Sequence, residues 1–170
     1  ELHLEIMVDR LMREHRVAAN VGRPQVAYRE TVTSETRSHG EFAKELAGKT
    51  NFAEVELVIA PGAYGTGNTF VNEAKPEQVP AQFVPFVESS AKQACETGVL
   101  AGYPLVDVVI KLVGGKFEEG ESTEMGFRNA AVTALWDGAK YAGPVLLEPV
   151  MSVEINVTAE FLGDVTGHLY

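Results

Sequence analysis

Leu100-Ala101-Gly102-Tyr103-Pro104-Leu105-Val106-Asp107-Val108-Val109-Ile110-Lys111-Leu112-Val113 opens the stretch whose reading decides the fold; it continues to Tyr141. From Leu105 to Val113 the residues alternate. Val106, Val108, Ile110 and Leu112 make one wholly apolar face, opposite Leu105, Asp107, Val109, Lys111 and Val113. A period of two with one apolar face predicts a central, half-buried strand. Pro104 stands at its start, where no ladder hydrogen bond is lost. After an acidic loop, Gly114 to Glu121, a helix is expected from an N-cap at Ser122, with Glu124 in its first turn. Its apolar face is Met125, Phe127, Ala130, Ala131, Ala134 and Leu135, widened by Trp136 and Ala139, and Gly143-Pro144 ends it.

Working outward, a second helix follows Val79-Pro80. Phe83, Val87, Ala91, Ala94 and Cys95 form its stripe, with Gly98 as C-cap. Val55, Leu57 and Ile59 predict a strand over 52–60, ended by Pro61-Gly62. Residues 34–50 are polar and of mixed charge, with only a short apolar trace at Phe42, Ala43 and Leu46; Phe70 and Val71 lead into a polar link over 72–78. Residues 25–33 alternate through Val26, Tyr28 and Val32. Leu4, Met7, Val8 and Leu11 share a helical face over 2–14, Val17, Ala19 and Val21 read as a short strand, and 150–157 alternates as another. The fold class is therefore α+β. Boundaries are expected at Gly22-Arg23-Pro24 and near Leu147, giving 1–24, 25–146 and 147–170. With no initiating methionine and both ends inside helical patterns, the chain reads as a piece of a longer protein.

Composition narrows the functions. At 170 residues and 45% apolar content a sizeable core can form. A net charge of −10 argues against a general nucleic-acid coat, since such affinity comes from neutralised phosphates, but leaves a local RNA contact open. The one cysteine, Cys95, excludes an internal disulfide. No apolar run reaches the ~18 residues of a membrane span.

Few stretches carry visible chemistry. Gly48-Lys49-Thr50 imitates the end of a phosphate-binding loop, but Ala43 stands where the first glycine belongs and no buried strand precedes it. His3, His15, His39 and His168 lack metal-ligand spacing, so no metal is expected. Glu118, Glu119 and Glu121 crowd the loop after the central strand. A small acid–base enzyme using Asp107 and Glu118 is one reading of them; a solvated, mutually repelling loop is the other.

Longer blocks resemble the C-terminal part of bacterial translation elongation factor G. Glu1 to Leu11 looks like the last helix of that family's domain III, and Asn20-Val21-Gly22-Arg23-Pro24-Gln25-Val26-Ala27-Tyr28-Arg29-Glu30-Thr31 like the start of domain IV. Gly98 to Asp107 is similar to a strand crossing domain IV. Gly143-Pro144-Val145-Leu146-Leu147-Glu148-Pro149-Val150-Met151 with Gly163-Asp164-Val165-Thr166-Gly167 looks like the passage into domain V. The resemblance implies a ribosomal protein S5 domain 2-like β-α-β sandwich with a left-handed crossover for domain IV, flanked by partial ferredoxin-like elements. It implies a monomeric, cytoplasmic GTPase that drives tRNA–mRNA translocation, with domain IV entering the decoding centre of the small ribosomal subunit. GTP and magnesium would bind outside this chain, which would itself hold no catalytic residue, cofactor or metal, and no membrane would be involved.

The departures from the family lie in two tip loops, near 45–52 and 114–121. Where the family usually carries Gly-Gly-Arg-Gly-Gln, this chain has Ala47-Gly48-Lys49-Thr50-Asn51. Where it usually carries Tyr-His, this chain has Phe117-Glu118, and Pro76-Glu77-Gln78-Val79-Pro80 replaces a Gly-Gly before Val-Ile-Pro. The RNA-contact candidates are thus Lys49, Thr50, Asn51, Lys116 and Glu118. Lysine keeps a charge but loses the bidentate fork of arginine. An ionised glutamate only accepts hydrogen bonds, and it repels phosphate. A main elongation factor and a divergent paralogue acting in ribosome recycling or protection both remain open.

Overall fold

The computed structural model describes residues 2–18, 22, 26–46, 49–152 and 154–169. Two alternating strands form its centre. β3 (Lys49–Pro61) and β5 (Val108–Lys116) pair antiparallel, with Leu57 opposite Leu112 and Ile59 opposite Ile110. Their inward side chains, Val55, Leu57, Ile59, Val108, Ile110 and Leu112, are completely buried. Each such burial is worth about 1.5–3 kcal/mol. β2 (Thr36–Leu46) extends the ladder antiparallel beyond β3, and β4 (Thr69–Asn72) runs parallel to β5, giving the order β2-β3-β5-β4. Parallel neighbours need a crossover, and α2 (Val84–Ala94) lies in the one joining β4 to β5. It packs beside α3 (Glu124–Tyr141), which lies across β2 and β3. Phe83, Val87, Ala91, Phe127, Ala130, Ala134 and Leu135 fill the space between helices and sheet. The expected α+β sandwich is present.

β1 (Arg29–Val32) and β6 (Pro144–Leu147) form a separate antiparallel ribbon, Arg29 opposite Leu147 and Val32 opposite Pro144. α1 (Leu2–Arg13) forms where its periodicity places it; a 3-10 turn (Ala159–Phe161) leads into α4 (Leu162–Leu169). Among the described side chains none of these three helical segments contributes to the core, and Leu4, Met7, Phe161 and Leu162 are exposed.

Several details depart from the periodicity. The central strand begins at Val108 because Asp107 adopts φ +55°, which interrupts the extended chain and turns Leu105 into the core, against its expected face. The α3 N-cap is Thr123, whose hydroxyl accepts the Gly126 amide at 3.1 Å; Ser122 instead caps the turn before it. Met125 and Trp136 stand exposed, while Gly126 and Gly138 join the buried face. α2 ends with Cys95 as its C-cap, and Gly98 serves elsewhere.

Two strands escaped the periodicity. The inward positions of β2 are Thr36, Ser38, Gly40 and Phe42; the first three are too small or polar to read as a core face, and Phe42 alone gives no period. They are small because α3 approaches closely: a Cβ on Gly40 would fall on the Ala130 carbonyl oxygen. β4 has only four residues, too few to show a period. Conversely, 150–152 and 154–157 form no strand and neither do 17–18; residues 19–21 and 153 lie outside the described residues.

Candidate nucleic-acid interface

The sheet delivers two loops to one end of β5. β2 and β3 form a hairpin whose last described pair is Leu46 and Lys49. The turn residues 47 and 48, and the Lys49 side chain, lie outside the described residues. The second loop, 117–122, leaves β5 and enters α3. Backbone and side chains join the two. The Phe52 amide donates to the Glu121 carbonyl at 2.9 Å, and the Thr123 hydroxyl donates to Asn51 Oδ1 at 2.9 Å. Four of the five predicted contact residues, Thr50, Asn51, Lys116 and Glu118, therefore sit at one end of the body, and the Lys49 backbone opens the same strand.

The 117–122 loop is held at both ends. Phe117 packs on Phe83, ring centroids 5.8 Å apart, and Phe83 stacks on Phe127 at 4.7 Å. Glu118 donates its amide to Ser122 Oγ at 2.9 Å, and its carbonyl accepts from the amides of Ser122 at 2.9 Å and Glu121 at 3.2 Å. Gly120, at φ +85°, makes the turn.

The charge here is mostly acidic. Strand register puts Glu41 opposite Glu54, and Glu54 opposite Lys116. Lys116 Nζ lies 2.6 Å from Glu118 Oε1 and 5.0 Å from the Phe52 ring centroid. The hydrogen bond and charge of Glu118, then the charges of Glu54 and Glu41, raise the Lys116 pKa above its ordinary value. Lys116 is a permanent cation surrounded by carboxylates.

The opposite end of β5 removes the enzyme reading. Asp107 accepts the amides of Gly65 at 2.9 Å and Gly67 at 2.8 Å, so its carboxylate ties down the 61–68 loop. Glu118 lies beyond the other end of a nine-residue strand, roughly 30 Å away at ~3.3 Å per residue. The two carboxylates cannot share a substrate. Lys49 and Thr50 open the strand β3, where a phosphate-binding loop would run into a helix whose dipole faces the phosphate. Among the described residues no group of three His, Cys, Asp or Glu could hold a metal ion. Cys95 is buried, and burial with the nearby Glu96 charge pushes its thiol up to about 12, so it remains unreactive.

One residue the sequence left unremarked is Glu30, completely buried in a strand. Its carboxylate accepts the amides of Leu100 at 2.9 Å, Ala101 at 2.7 Å and Tyr103 at 3.1 Å. Burial alone would raise its pKa, but these bonds and one from Val99 outweigh it and lower the value. Gly98 passes so close that a Cβ would fall on this carboxylate. A lone acid in an alternating segment gives no sign of such a role.

Residues 24–143 match the sequence profile of elongation factor G, domain IV. The chain belongs to that family. A protein of Thermus thermophilus, known from its crystal structure, is similar to this elongation factor G domain IV chain, with a TM-score of 0.74 and 28% identity over 86% of it. The match spans only 22% of the Thermus protein. No helix among the described residues is long and apolar enough to cross a membrane.

Proposed function

We propose that this chain is the ribosome-contacting part of an elongation-factor-G-like translocase. The observation that carries the reading is the joining of two loops, the β2–β3 hairpin and 117–122, at one end of a rigid domain IV sandwich. The paired tip enters the A site of the small subunit and promotes movement of tRNA and mRNA. Its work is steric: the packed body holds the tip, and the tip blocks backward movement of tRNA. Recognition rests on RNA shape and backbone, with few base contacts. Residues 1–24 and 147–170 belong to the flanking domains III and V, to which their exposed apolar residues offer contact area. GTP and magnesium bind in a part of the cytoplasmic, monomeric full-length protein outside this chain.

Lys49, Thr50, Asn51 and Lys116 are the RNA-facing groups. In the full protein, Lys49→Ala weakens binding to small ribosomal subunits, more at low salt than at high salt, because each lost phosphate contact reduces the salt slope by about 0.7–0.9. A loss independent of salt contradicts a phosphate contact. Glu118→His, which restores a donor at the tip, speeds translocation in single-turnover assays. An unchanged or slower rate favours the second reading, a divergent paralogue working in ribosome recycling or protection. The Lys116–Glu118 ion pair, which occupies the tip cation internally, supports that reading.

A further inference from the structure

The contacts of Lys116 set it apart from a cation waiting for a phosphate. Its ammonium already has a carboxylate at 2.6 Å and an aromatic face at 5.0 Å, and Glu54 stands opposite Lys116 in the strand register. Yet about half of its side chain remains exposed, 54%, so an incoming ligand can still reach it. The backbone of Glu118, for its part, is held beside Lys116. Phe117 before it is packed into the aromatic cluster of Phe83 and Phe127, and three hydrogen bonds to Ser122 and Glu121 fix its backbone. From this backbone the carboxylate reaches the one ammonium that an RNA phosphate oxygen would also seek.

We propose that Glu118 masks Lys116, acting as a built-in phosphate mimic that holds down the affinity of the tip for RNA backbone until it is displaced. This rests on the reading of the tip as an RNA contact. A solvent-exposed ion pair is screened by water and adds little to a fold, so the pair is not explained by stability. A phosphate approaching Lys116 must either displace Glu118 or lie beside its negative charge. Either route subtracts from binding. The cost is specific to this pair, because it depends on contact with one ammonium, whereas the remaining acids act through screened, longer distances.

The test is a double-mutant cycle in the full protein, read as affinity for vacant small ribosomal subunits over a series of salt concentrations. Glu118→Gln keeps the size and removes the charge. It should tighten binding about 3- to 10-fold at low salt and steepen the salt slope by about 0.7–0.9, one further phosphate neutralised. In a Lys116→Gln background the same Glu118→Gln change should gain less than twofold. Glu119→Gln removes an equal charge one residue along and should also gain less than twofold. An equal gain in the Lys116→Gln background, or from Glu119→Gln, overturns the mask and leaves only a general charge effect. No gain from Glu118→Gln while Lys49→Ala still weakens binding overturns the mask but leaves the RNA-contact reading standing. No change from Glu118→Gln or Lys49→Ala overturns both. Thermal melts of each variant, unchanged from the parent, show that folding is not the cause.

Discussion

The two ends of β5 use the same chemical group in opposite ways. At the end that begins with Val108, the carboxylates of Glu30 and Asp107 are absorbed by backbone amides, those of Leu100, Ala101, Tyr103 and Val99 on Glu30 and those of Gly65 and Gly67 on Asp107. At the end that closes with Lys116, Glu118 meets a single lysine side chain and remains partly open to water. A carboxylate held by amides cannot be exchanged without unfolding the loop that donates them. A carboxylate held by a flexible lysine can be exchanged for any other anion. The partner type, more than the residue type, separates an acid that builds the fold from one that regulates a surface. This contrast also explains why Asp107 and Glu118, the two acids that first invite a catalytic reading, have nothing to do with each other.

The comparison is broken most easily at Glu30. Glu30→Gln replaces one accepting oxygen by a donor facing donor amides. It should cost about 2–4 kcal/mol, the sum of a lost charged acceptor and amides left without partners. Chemical denaturation measures it, and a loss below about 1 kcal/mol would mean that water replaces the carboxylate without penalty. The pH dependence has a definite direction. The folded-state pKa is lowered, so the stabilisation is full above the ordinary glutamate value of 4.5 and is lost as pH falls through the lowered value. Glu30→Gln should flatten that acid limb. Asp107→Asn comes next, at about 1–2 kcal/mol. It keeps one acceptor oxygen, and asparagine tolerates the left-handed φ of +55°. Hydrogen exchange should accelerate at the Gly65 and Gly67 amides, with little change in β5.

How much of this was legible follows from the size of the inward side chains. β3 and β5 carry large apolar residues at a regular period, the buried stripes of α2 and α3 carry mostly alanine with Val87, Phe127 and Leu135 among them, and each element lies close to where its period puts it. β2 was hidden because Gly40 and Ser38 let α3 come near, so the residues that make packing tight are the ones that remove the signal. The tip was legible in composition through Lys116 and Glu118, but their contact depends on the 117–122 turn. That turn is set by Ser122 and Gly120, which a period cannot report. Glu30 was the least legible residue, because its donors lie about seventy positions away in a loop with no regular pattern.

The smallest expected effect on stability is at the tip, and it makes the contrast sharpest. Glu118→Gln removes an ion pair whose side chains are 54% and 37% exposed, while its backbone bonds to Ser122 and Glu121 are untouched. The Coulomb gain lost is screened by water, and Lys116 recovers side-chain freedom and hydration. The denaturation midpoint should therefore stay where it is in the parent, as for other surface substitutions away from buried features. Equal denaturation midpoints for Glu118→Gln and the parent, beside a large loss for Glu30→Gln, place the two acids in different classes on one measurement. If Glu118→Gln instead costs as much as Glu30→Gln, the Lys116 contact belongs to the fold. The tip would then be a structural clamp like the opposite end of β5, and a phosphate could not displace Glu118 without undoing the loop.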